Sequence, residues 1–80
     1  MNVKNVIAFR INQLCAANHL SPSALAKLSG IDSSTIYSIL GTKSKSPEVA
    51  TVKKICDGLG ITLGEFFNTP EFDHLEQEIR

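Results

Sequence analysis

Five hydroxyl side chains crowd into six positions, Ser33, Ser34, Thr35, Tyr37 and Ser38, directly after Asp32. A hydroxyl both donates and accepts a hydrogen bond, so the chemistry open to such a cluster is recognition of polar edges. Ile36, Ile39 and Leu40 fall between and behind them at helical spacing, which puts hydroxyls on the leading face and aliphatics on the other. A helix built that way suits the DNA major groove, where each base pair presents its own pattern of donors and acceptors. It equally suits an ordinary αα-hairpin with a solvated serine face, and this segment alone leaves both readings standing.

Positioning such a face requires a second helix close behind it. Residues 21–41, SPSALAKLSGIDSSTIYSILG, supply one: Ser21 begins a helical pattern with Pro22 at its first position, where the missing N–H is no loss. Leu25 and Leu28 mark the expected apolar face of this helix, over residues 22–29. Gly30 provides the hinge, and Asp32 is a suitable N-cap for the hydroxyl-bearing helix, over residues 33–40. Two helices joined by a tight turn containing Gly form a helix-turn-helix.

The remaining pattern is also helical. Val3, Val6, Ile7, Ile11, Leu14 and Cys15 predict a first helix over residues 3–18, ended by Asn18-His19. Gly41 stops the hydroxyl helix, and a loop follows with Lys43 and Lys45 alternating along it. Ser46 is expected to cap a fourth helix with Pro47 at its first position and Val49, Val52, Ile55, Cys56 and Leu59 inward, closed by Gly58 or Gly60. Thr62 and Glu65 form a capping-box pattern for a short fifth helix, LGEFF. Strict alternation is absent, so the expected fold class is all-α: a compact bundle of about five helices around a helix-turn-helix, with a short amphipathic tail. The expected division is a domain over residues 1–68 and an acidic tail over residues 69–80 that could add a further helix.

The 80 residues make one domain at most. Cys15 and Cys56 have no nearby Cys or His at metal-ligand spacing and read as small core side chains of a reduced, cytoplasmic protein. No run reaches the roughly 18 to 20 apolar residues of a membrane span, and the first residues lack the pattern of a signal peptide. Formal charge is zero but unevenly spread. Residues 1–60 carry seven Lys or Arg against three acids, a net +4, and residues 61–80 carry five acids against Arg80, a net −4. A modest positive charge of this kind predicts few phosphate contacts per chain.

Taken together, LSPSALAKLSGIDSSTIYSIL, the loop GTKSKSP and the closing VKKICDGLGITLGEFF resemble the lambda-repressor-like helix-turn-helix class, the Cro/phage-repressor or XRE proteins. The likeness spans roughly residues 5 to 68 and is nearest the small stand-alone regulators of Gram-positive bacteria and their mobile elements. It implies that Ser33, Ser34 and Ser38 face base edges, with Tyr37 beside them, able to pack on a thymine methyl or donate to a phosphate. It implies phosphate contacts from Ser21, Ser23, Thr35, Thr42, Lys43 and Lys45, and backbone N–H groups offered by the two helix starts. Two departures stand out. Many relatives open the second helix with a phosphate-clamping Gln, where this chain has Pro22. Relatives also often pair a buried Arg on the first helix with a Glu ending the third, where this chain has Cys15 and Leu40. Removing one partner of such a pair costs about 3 to 5 kcal/mol, but replacing both with apolar groups can be neutral, so Cys15 and Leu40 are expected to meet in the core.

The function expected from the resemblance is a sequence-specific transcriptional regulator, in the repressor sense, bound to double-stranded DNA as a dimer with half-sites about one helical turn apart. The competing reading is a protein-interaction module of the same fold, antitoxin-like, using the tail. Phe72, Leu75 and Ile79 stand at i, i+3 and i+7, either fraying or forming a stripe against a second copy. An enzyme is not expected: His19 and His74 have no nucleophile at useful spacing, no Gly-rich phosphate loop or metal motif occurs, and no cofactor is implied.

Overall fold

The computed structural model describes residues 2–41 and 46–79. Among the described residues six helices run in order: α1 (Val3–Ala17), α2 (Pro22–Ser29), α3 (Ser33–Leu40), α4 (Val49–Leu59), α5 (Leu63–Phe67) and α6 (Pro70–Asp73). There is no strand among the described residues, and none of the helices is long and apolar enough to cross a membrane. The core is aliphatic with one buried ring: Val6, Ile11, Leu25, Ile36, Ile55, Cys56 and Phe66 are all essentially inaccessible. Cys15 is buried and Leu40 is half-buried against that same core.

Local chemistry sets the helix ends. Asn2 caps α1 by accepting from the Asn5 N–H at 2.9 Å, and Ser21 caps α2 by accepting from the Ala24 N–H at 3.1 Å with Pro22 in the first turn. Thr62 and Glu65 form the reciprocal capping box of α5, at 3.0 Å each way. Three helices stop by one device. His19, Gly30 and Gly60 adopt left-handed φ values of 55°, 68° and 71°. The next residues, Leu20, Ile31 and Ile61, then donate back to the carbonyls of Cys15, Ala26 and Cys56 at 2.9, 3.1 and 3.0 Å. These are Schellman ends, and those at Gly30 and Gly60 turn Ile31 and Ile61 back against the core.

The structure corrects several expectations. Asp32 occupies the N-cap position of α3, but its carboxylate makes no cap bond; its backbone carbonyl instead accepts from Thr35 and Ile36. Helix α4 begins at Val49 with Glu48 as N-cap, so Ser46 and Pro47 lie before it, outside the helix. Starting at Pro47 would add two residues beyond Val49, which is itself 67% exposed at the edge of the core. Leu28 is 55% exposed, and α2 turns Leu25, Ala26 and Ser29 inward. The tail forms α6 only as far as Asp73, so Phe72, Leu75 and Ile79 share no helix face. Phe72 instead stacks edge-on against Phe67, with ring centres 4.8 Å apart, while Phe67 meets Phe66 at 4.9 Å.

The reason for the rotation of α2 is its partner. The most extensive helix pair is α2 with α4, and they meet where Gly58 faces Ser29. A Cβ on Gly58 would stand 2.7 Å from Ser29 Oγ and 3.0 Å from the Leu28 carbonyl. Small residues on both helices bring the backbones together, and Leu28 cannot fit between them. The cost is a buried Ser29 hydroxyl with no hydrogen-bond partner.

Arg10 ties α1 to the far end of the bundle. Its Nε donates to the Phe66 carbonyl at 2.7 Å and its Nη2 to the Glu65 carbonyl at 2.8 Å, while Nη1 donates to Gln13 Oε1 at 2.7 Å. The guanidinium thus satisfies carbonyls at the end of α5 where the helix dipole is negative.

Two outcomes are expected. Gly58→Ala gains up to about 1 kcal/mol of helix propensity but overpacks the α2–α4 contact by about 1 to 3 kcal/mol, so urea denaturation should show a net loss of stability. Arg10→Met should lower stability by about 1.5 to 3 kcal/mol, and Arg10→Lys should not restore it, since an ammonium lacks the fork that reaches both carbonyls.

Candidate nucleic-acid interface

The turn at Gly30 lays α3 across the bundle with Ile36 fully buried, Ile39 nearly so, and Ser33, Ser34, Tyr37 and Ser38 exposed. At about 100° per residue, Ser34 stands at the middle of the exposed arc. Tyr37 and Ser33 flank it on the α2 side, and Ser38 and the half-buried Thr35 flank it on the α4 side. The sequence-predicted base-facing residues therefore share one surface.

A groove lies along each flank. On the α4 side an open cavity of about 600 Å³ is lined by Ser34, Thr35 and Ser38 with Glu48 and Thr51 opposite. On the α2 side a smaller one of about 330 Å³ is lined by Ser23, Lys27, Asp32 and Ser33. The α2 flank is cross-linked: Ser23 Oγ and Tyr37 Oη lie 3.3 Å apart, within hydrogen-bonding distance. Ser21 stands at the start of α2, its oxygen engaged by the Ala24 N–H. Thr42, Lys43 and Lys45 lie outside the described residues.

The positive charge is distributed differently from a plain count. Lys4 is buried, Arg10 is committed to α5, and Lys53 pairs with Asp57 one turn along α4. Lys27 lines a groove beside α3. Sequence reasoning missed it, although its i+4 spacing from Ser23 put both on one face of α2.

Burial pushes the Cys15 and Cys56 thiols above their ordinary range, so both stay protonated and poorly nucleophilic near neutrality. No group of three His, Cys, Asp or Glu side chains able to hold a metal ion occurs among the described residues. The exposed chemistry of the α3 surface is hydrogen bonding by hydroxyls around one tyrosine ring.

Comparison with known proteins agrees with that geometry. The family model described as the Cro/C1-type HTH DNA-binding domain matches residues 10–71. The crystal structure of prophage Lp1 protein 11 superposes with a TM-score of 0.83 at 26% identity, over 94% of this chain and 100% of that one. A transcriptional regulator of the HTH_3 family from Vibrio cholerae superposes with a TM-score of 0.74 at 33% identity over 85% of this chain. This chain spans only 38% of that regulator's length. Among curated protein sequences, none matches. A family match over most of the chain, on a fold whose α2–α3 pair presents one exposed polar helix, identifies the protein as a member of the Cro/C1-type, lambda-repressor-like helix-turn-helix DNA-binding family.

Proposed function

We propose that the protein is a sequence-specific transcriptional regulator, acting as a repressor by lying over a promoter, with α3 in the DNA major groove. The observation that carries this reading is the exposed arc of α3, hydroxyl-bearing on its front and held from behind by buried Ile36 and Ile39. Ser33, Ser34, Tyr37 and Ser38 face base edges in this reading. Ser21, Thr35 and Lys27 face phosphates, joined by Thr42, Lys43 and Lys45 of the segment after α3, while Ser23, expected from the sequence to do the same, lies against the Tyr37 hydroxyl. Serine hydroxyls donate or accept, so they discriminate less per residue than a bidentate Arg–guanine pair. Sequence-dependent DNA shape would supply part of the selectivity.

Modest charge on the reading side favours two copies on a pseudo-palindrome, since each copy neutralises few phosphates. Phe72 is engaged with its own chain, which leaves Leu75 and the 81% exposed Ile79 as the tail's apolar surface toward a second copy. The interaction-module reading depends on that same reduced surface, and the α3 face supports DNA more strongly.

Selection from random duplexes tests the proposal. The wild-type chain should enrich a motif with half-sites about one helical turn apart. Ser34→Ala and Ser38→Ala should each weaken binding to it by about fivefold, near 1 kcal/mol, and relax preference at one position. Enrichment of no motif, even at low salt, would favour the interaction module.

A further inference from the structure

Tyr37 is the one large side chain on the reading arc, and at 54% exposure little of the bundle holds its ring. What restrains it is the Ser23 hydroxyl, 14 residues away in sequence and 3.3 Å from the phenol oxygen. Ser23 is itself a firm anchor. It sits in the first turn of α2, between Pro22, whose ring fixes φ, and the Ala24 N–H held by Ser21 at 3.1 Å. The backbone of the first turn of α2 is thereby held by a proline and a cap, and the hydroxyl it carries reaches a side chain on α3. Of the two hydroxyls, one donates to the other, and the second proton stays available outward.

We propose that Ser23 is a positioning residue: it orients the Tyr37 ring against one base step, so that selectivity at that step is set from α2 as well as α3. The inference rests on the DNA-reading role proposed above. Orienting a tyrosine before binding removes a side-chain ordering cost that otherwise falls on association. Pro22 and Ser21 then act in series with it, as the fixed base on which the hydroxyl is mounted.

The test measures affinity and selected sequence for wild type, Ser23→Ala, Ser23→Thr, Tyr37→Phe and the Ser23→Ala/Tyr37→Phe double variant, with thermal melts to show that each is folded. Tyr37→Phe keeps the ring and removes the hydroxyl that meets Ser23. Ser23→Ala and Tyr37→Phe should each weaken binding about two- to tenfold and blur preference at the same operator position. The double variant should lose no more than the worse single one, and Ser23→Thr should restore both affinity and preference. Independent, multiplying losses would overturn the inference, as would a Ser23→Ala effect uniform over all sequences, the signature of a simple phosphate contact. So would Ser23→Ala binding like wild type. A wild-type chain that selects no sequence would remove the DNA-reading proposal itself along with this one, a result distinguishable from the others without any variant.

Discussion

The close approach of α2 and α4 at Gly58 governs the rest of the molecule. A bare backbone at Gly58, facing the small Ser29, lets the two helices meet at a separation that a single methyl group would violate. Helix α2 is thereby fixed on the bundle, and α3 follows through three residues that allow little freedom. Gly30 takes the left-handed conformation, and the Ile31 N–H closes back on the Ala26 carbonyl at 3.1 Å. Packing density at one helix crossing is converted into the aim of another helix. The unpartnered Ser29 hydroxyl shows that the approach is favoured despite an unmade hydrogen bond, whose desolvation costs about 1 to 3 kcal/mol.

Much of this was legible in the residues. The helix-turn-helix was readable because Ser21-Pro22, Gly30 and Gly41 punctuate it at positions where local chemistry and tertiary structure agree. The capping box at Thr62 was legible for the same reason. The errors fall where long-range packing overrides local pattern. Leu28 looks inward by spacing, but its backbone carbonyl lies so close to Gly58 that a Cβ there would stand 3.0 Å away, and its side chain is exposed. Ser46-Pro47 looks like a helix start, but no buried residue would reward the added length. The tail stripe fails because Phe72 finds two rings of its own chain before a helix of that length can form.

Electrostatics shows the same limit. A net charge of +4 over residues 1–60 says nothing about which cations are free. Lys4, Arg10 and Lys53 are absorbed by burial, by carbonyls and by an acid, whereas Lys54 is exposed on α4 and Lys27 lines a groove next to α3. The exposed arc of α3 is itself built from neutral groups, hydroxyls around one tyrosine ring. Such groups recognise by geometry, because each hydroxyl contributes little attraction at a distance and must be placed to be of use. A rigid platform behind α3 and a neutral reading face in front of it are two sides of one solution.

The central claim is that the α3 face meets duplex DNA. Amide chemical shifts followed by nuclear magnetic resonance, as a selected duplex is titrated into the labelled protein, address it most directly. The account predicts the largest changes over residues 33–38, with smaller ones at the start of α2 and near Lys27, and little response in α5 or α6. Large changes confined to residues 63–79, with α3 silent, would contradict it.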